Sequence, residues 1–451
     1  MIRTLKAAEY LTQLQAATAV AASANAAANS TSANAVAKSA SANAAAVKAT
    51  VAEIIENVKN RGDEALKEYT EEFDKCFTDK FELPSAALDA AIRTVGREFV
   101  GVMERAARNI EEFHRRQIQH GFVITSEGGA VMGQRILPLE RVGIYIPGGT
   151  ASYPSSVLMN CIPAKLAGVG EIIIATPPSR GGVDSAGILA AAKIAGADRV
   201  FTVGGAQAIA AMAYGTETVP RVDKITGPGN AYVAEAKRQV FGVVGIDMIA
   251  GPSDILIIAD SKADPELVAA DMLSQCEHGE DSAAVLITNS AELASAVSAE
   301  IETQLAELPR ALTAREAIDA NGVIIITDSL EQALETSNII APEHLEIYLD
   351  DPFACLDRIK NAGSVFLGKH TPEAVGDYCA GPNHTLPTSG TARFAGPLSV
   401  DDFVKKSSFM YYTEKALHRY ADDVIAFAGN ESLRAHALSV EKRVKRKTTT
   451  K

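Results

Sequence analysis

Between Arg141 and Ala250 short β-branched runs, RVGIYI, EIIIAT, RVFTVGG and KITG, alternate with Ala-rich stretches. That alternation implies βαβ units and a parallel sheet with helices on both faces. A second series follows, SDILIIAD, AAVLIT, GVIIIT and GSVFLG, with a helix opened by Asp264 and Pro265. Asp before Pro suits a helix start, since Asp caps free amides and Pro tolerates the first helical position. Two α/β domains of similar style are therefore expected.

The flanks read differently. From about Ala16 to Lys48 runs an Ala/Ser/Asn-rich tract with almost no large apolar side chain, expected to be a partly helical arm or a flexible insert. From Val51 to about His120 apolar residues recur three and four apart, as in VAEIIENVKNRGDEALKEYTEEF, which predicts amphipathic helices. A helical C-terminal segment is expected from about Ser399. The domain boundaries follow: 1–50 an N-terminal arm with the Ala-rich insert, 51–140 a helical region packing on the second α/β domain, 141–250 and 251–385 the two α/β domains, and 386–451 a helical C-terminal arm.

Bulk properties exclude several classes of function. A net charge of −13 over 451 residues disfavours nucleic acid or an anionic membrane as partner, and the basic run KRVKRK near the C-terminus reads as a solvated helix end. Cys76, Cys161, Cys276, Cys355 and Cys379 are odd in number and scattered, without CxxC spacing. Neither a disulfide framework nor a thiolate zinc site is expected, and a reducing cytoplasm fits best. Glu9 and polar residues interrupt any signal-peptide core in MIRTLKAAEYLTQLQ, and no run is apolar enough to span a bilayer.

Several segments could carry chemistry. The GxGxxG fingerprint is missing from its strand-turn-helix setting, yet Pro147-Gly148-Gly149, Gly204-Gly205 and Gly227-Pro228-Gly229 end β-branched runs, where ligands of parallel sheets bind. In DMLSQCEHGED, Gln275 and His278 are three apart and share a helix face, the spacing by which one helix offers two ligands to a metal; a C-terminal His serving the helix dipole is the alternative. APEHLEIYL places Glu343 and His344 at an expected helix or turn start, where they are either a proton-transfer pair or a capped end. GDYCAGPNHTLPTSG gathers Asp377, Asn383 and His384 in a Gly- and Pro-rich loop, and His436 falls on a C-terminal helix.

Taken in order, RVGIYIPGG, PAKLAGV, VGGAQAIAA, TGPGNAYVAEAKRQV, AGPSDILIIAD, LSQCEHG, APEHLEI, GSVFLG and GDYCAGPNHTLPTSGTARFAGPLSVDDFVK resemble the L-histidinol dehydrogenase family. The resemblance runs from about Val51 to ESLRAHALSVEKR. It implies two incomplete, doubly wound Rossmann-like α/β domains with helical N- and C-terminal arms in an intertwined homodimer, 141–250 binding NAD and 251–385 carrying the zinc and catalytic residues. It implies oxidation of L-histidinol through L-histidinaldehyde to L-histidine, with one zinc ion per subunit on Gln275, His278, Asp377 and His436. Glu343 and His344 would be catalytic. Those six residues, with Ser253, His384 and Glu431, would touch substrate, and Tyr145, Gln207 and Asn230 would touch NAD. The C-terminal segment would reach the partner's site, so Glu431 and His436 would act in trans. The Ala-rich tract departs from the family pattern.

A dehydrogenase of another small polar alcohol on the same scaffold is the alternative function, and a non-catalytic metal-binding or assembly protein the other. Retention of Glu343, His344, Ser253, Glu431 and His436 weighs against both. Cys161 and Cys276 invite a thiohemiacetal route, but no histidine adjoins Cys161 and only Lys165 stands near it.

Overall fold

The apolar runs of the central chain become strands because each is short, β-branched and buried on both faces. The computed structural model describes residues 2–26, 35–148, 152–178 and 185–444. Gly149, residues 27–34 of the Ala-rich tract and the basic tail beyond 444 lie outside them. The chain divides into two compact units, Met1–Gln117 with Glu140–Phe403, and Ile118–Leu139 with Val404–Lys451.

The first unit holds two wholly parallel sheets. One runs, edge to edge, Arg199–Thr202, Glu171–Thr176, Arg141–Tyr145, Lys224–Thr226 and Gly245–Ile246. The other runs Arg3–Lys6, Val323–Ile326, Ala283–Thr288, Asp254–Ala259, His344–Tyr348 and Ser364–Leu367. In both, the chain starts in the middle, steps twice to one side, then returns to lay its fourth and fifth strands on the other; Arg3–Lys6 adds an edge to the second. The order reverses beside Arg141–Tyr145 and beside Asp254–Ala259, and such reversals open a crevice at the sheet end.

Residues 51–140 depart from expectation in two ways. Their helices pack on the first sheet's helices rather than on the second α/β domain, because Val51, Ile54, Ile55, Val58 and Leu66 bury against Ile209, Met212 and Val233. An apolar stripe fixes which face is covered, not by what. Residues 118–139 are not helical but form the strands Phe122–Thr125 and Val131–Pro138, antiparallel to each other and to Val404–Tyr411. The segment after Ser399 is therefore helical only beyond that strand, as Glu414–Asn430 and Arg434–Val444. The described parts of the Ala-rich tract, 16–26 and 35–48, are helical, within Ala7–Ala26 and Ala35–Arg61.

The helix Pro265–Cys276 starts as its sequence dictates, with the Asp264 side chain accepting from the Glu266 amide at 3.0 Å. We expect Asp264→Ala to cost about 1 kcal/mol and Asp264→Asn much less. Thermal unfolding of the two variants measures this, and equal losses would show that the cap is not the source.

Candidate active site

A cavity of about 620 Å³ opens between the carboxyl ends of the first sheet and the amino ends of the second. On one side it is lined by Pro147 and Gly148, by the turn Gly227-Pro228-Gly229, and by Asn230 and Asp247. On the other stand Ser253, Gln275, His278, Glu343, His344, Asp377 and His384.

His344 begins the strand His344–Tyr348 and Glu343 stands just before it, so the pair opens a strand and not a helix. The run alternates: Leu345 and Ile347 enter an apolar core, while His344, Glu346 and Tyr348 point to the other face. Asp254, opening the adjacent strand, holds both residues. Its backbone N–H donates to Glu343 Oε2 at 3.0 Å, its carboxylate accepts from the Glu343 amide at 2.8 Å, and its carbonyl lies 2.9 Å from His344 Nδ1. A carbonyl can only accept, so Nδ1 carries the proton and Nε2 is left as the ring's base. His344 Nε2 is buried with no hydrogen-bond partner. Burial lowers the His344 pKa to about 4, so the ring is neutral near pH 7. Glu343 is raised well above the ordinary carboxylate range, first by burial and then by the charge of Asp254.

Gln275 lies in the last turn of the helix ending at Cys276, and His278 follows two residues beyond, with its amide on the Gln275 carbonyl at 3.1 Å. His278 is thus in the turn after the helix, exposed towards the cavity. Both side-chain atoms of Gln275 are buried without a partner. Asp377 lies on the short helix Glu373–Tyr378, one turn beyond Glu373, so the two carboxyls share a face. Ligand atoms of His344, Glu373 and Asp377 all lie within 4.8 Å of one another. Burial raises Asp377 to about 6, and burial followed by the charge of Asp377 raises Glu373 to about 8. An orphaned amide beside crowded, desolvated carboxyls and an open imidazole is a donor set that a divalent cation would relieve, and its oxygen and nitrogen atoms suit zinc.

His384 is fixed by the Asp377 carbonyl at Nδ1, 3.0 Å, and by the Ser156 hydroxyl at Nε2, 3.2 Å; burial lowers it to about 4. Asn383 donates to the Met159 carbonyl at 2.6 Å and is a structural tie. On the opposite wall Asn230 caps the helix Ala231–Val240 through the amides of Tyr232 and Val233. Tyr145 and Gln207 lie buried behind the lining, the Tyr145 hydroxyl accepting from the Gly205 amide at 3.0 Å. Glu431 and His436 belong to the second unit and are exposed. The first unit therefore gathers Gln275, His278 and Asp377 with the Glu343–His344 pair and Ser253. Cys161 and Cys276 are buried, and burial pushes the Cys276 thiol up to about 12 and that of Cys161 higher still, so neither is a ready thiolate.

The sequence reading missed Asp254 and Glu373. It also missed Glu346, which accepts from the Glu373 amide at 2.8 Å and is pushed up to about 9, first by burial and then by Asp271. A carboxyl whose folded pKa exceeds its unfolded value stabilises the fold fully below about 4.5 and loses that contribution as pH rises through about 9. In chelator-treated protein we expect Glu346→Gln to flatten the fall in melting temperature between about pH 7 and 9. An unchanged slope would assign that fall to other groups.

Comparison with known proteins gives a consistent set of relatives. The sequence model described as histidinol dehydrogenase matches residues 37–444. Histidinol dehydrogenase of Clostridium acetobutylicum is 53% identical over 396 residues, spanning 88% of this chain and 92% of its own. That of Syntrophotalea carbinolica is 54% identical over 401 residues, spanning 88% and 93%. The crystal structure of histidinol dehydrogenase from Elizabethkingia anophelis superposes with a TM-score of 0.84 at 42% identity, covering 88% of this chain and 92% of that one.

Proposed function

The chain belongs to the histidinol dehydrogenase family and is an oxidoreductase of histidine biosynthesis, and we propose that it oxidises L-histidinol through L-histidinaldehyde to L-histidine with NAD and zinc. The observation that carries the reading is the neutral His344 in the cavity wall, its Nδ1 tied to a backbone carbonyl and its Nε2 buried without a hydrogen-bond partner, 3.9 Å from Glu373 Oε1.

His344 Nε2 takes the alcohol proton as the carbinol carbon gives up a hydride, which leaves the aldehyde. Glu343 then takes a proton from the water that adds to the aldehyde carbon, and the protonated His344 returns its proton to the carbonyl oxygen, which gives the gem-diol and a neutral imidazole. A desolvated carboxylate is a stronger base than one in water, which suits that step. His344 next deprotonates the gem-diol as the second hydride departs, giving the carboxylic acid, which loses its remaining proton to water as the carboxylate. NAD, when bound, supplies the hydride acceptor at both oxidations.

Gln275, His278 and Asp377 would hold zinc, with His436 supplied by a second copy of the chain. The ion, when bound, supplies a template that restricts the substrate's imidazole and amine before reaction. Ser253, His384 and the second copy's Glu431 would also touch substrate. The Rossmann-like order of the first sheet supports a cofactor at the turns after Tyr145 and Thr226, with Asn230, Tyr145 and Gln207 as its contacts. The homodimer is supported by the second unit's exposed apolar side chains, among them Val123, Met410 and Phe427 at 61%, 72% and 72%. A cytoplasmic location is supported by five free cysteines, and no described helix is long and apolar enough to cross a membrane.

With histidinol and excess NAD, the expected yield is two NADH per histidinol consumed, abolished by chelator. One NADH with accumulating aldehyde, or no chelator effect, would overturn the reading. His344→Asn should end turnover while zinc stays bound. Because His344 loses its basic form only near pH 4, the ring's own titration should leave the rate unaffected at pH 6, and a fall there would have to come from another group.

A further inference from the structure

The turn Gly227-Pro228-Gly229 is held by a buried ion pair. The Gly227 amide donates to Asp247 Oδ2 at 2.8 Å, and the Gly227 carbonyl accepts from Lys237 Nζ at 3.0 Å. Lys237 and Asp247 are themselves in ion contact, their side chains only 2% and 1% exposed. Asp247 Oδ1 also accepts from the Met248 amide at 2.6 Å. Both polar groups of one glycine are thus satisfied by opposite charges drawn from the helix Ala231–Val240 and from the residue after the strand Gly245–Ile246.

Gly227 has φ of 113°, and a Cβ there would stand 2.0 Å from the Tyr145 carbonyl oxygen. Its backbone is packed against the central strand and leaves no room for another residue. Desolvating two charges is costly, and apolar residues of similar volume often serve stability equally well. A pair retained for stability alone would not need to hold both polar groups of this glycine, whose turn lines the cavity along with Asp247.

We propose that Lys237 and Asp247 are positioning residues for the dinucleotide: together they fix the height and tilt of the Gly227–Gly229 backbone against which the cofactor lies. The inference rests on the NAD reading above. Neither residue contacts the zinc ligands or the Glu343–His344 pair in any hydrogen bond or ion pair described for them. Their loss is therefore expected to act first on cofactor binding.

The test is titration of NAD and histidinol into the zinc-loaded dimer, and of zinc into chelator-treated protein, for the wild type and for Lys237→Met/Asp247→Asn, which removes both charges together. A displaced turn should weaken NAD about tenfold or more. Histidinol affinity and zinc content should stay near wild type. NAD affinity equal to wild type, or equal losses for all three ligands, would overturn the proposal. If that variant does not fold, Lys237→Gln/Asp247→Asn, which keeps hydrogen-bonding groups without charge, is judged by the same two outcomes. Failure of the wild-type protein to bind NAD would instead remove the cofactor reading itself.

Discussion

Asp254 is the residue on which the arrangement of the site depends. Its amide, its carbonyl and its carboxylate are each engaged with the Glu343–His344 step, at 3.0, 2.9 and 2.8 Å. It also opens the central strand of the second sheet, in register with Ala283. Strand pairing and the orientation of the Glu343 and His344 side chains are thus set by one residue. Burial raises Asp254 to about 6, a cost offset by the amides of Glu343 and Ser389.

Around that step the chain concentrates groups that resist ionisation in opposite senses. His344 and His384 are held neutral by burial, while Glu343, Glu346, Glu373 and Asp377 are driven towards their protonated forms. A pocket of this kind has little net charge of its own until a cation enters, and it then answers strongly because little water screens it. The opposite wall is arranged differently, with backbone glycines and a helix start in place of titratable groups.

The α/β character and the turns at the first sheet's carboxyl ends were legible because β-branched runs leave few alternatives. Asp264-Pro265 announced its helix, and Gln275 and His278 were singled out as a pair three apart on one helix face, whereas the helix ends at Cys276 and His278 stands in the turn beyond it. Glu343 and His344 were found but given the wrong local structure: Pro342 suggested a helix start, while the period-two pattern of His344, Glu346 and Tyr348 against Leu345 and Ile347 was the stronger signal. Asp254 and Glu373 were silent, since an acid before a hydrophobic run or in a short helix looks like any cap. FVIT and the strand before Pro138 were lost to the helical texture ahead of them. Which sheet the helices of 51–140 cover was not written in their own periodicity, because any apolar surface of suitable shape satisfies it.

The alternation within His344–Tyr348 makes chemistry a matter of register. A slip by one residue along the neighbouring strands would turn Leu345 towards the cavity and bury the imidazole among aliphatic side chains. Pairing of His344 with Ile255 on one side and Ser364 on the other, with the Ser364 amide on the Glu343 carbonyl at 2.9 Å, prevents such a slip. An insertion or deletion that did shift this pairing would therefore take the imidazole out of the cavity even if the sheet reassembled with every backbone hydrogen bond restored.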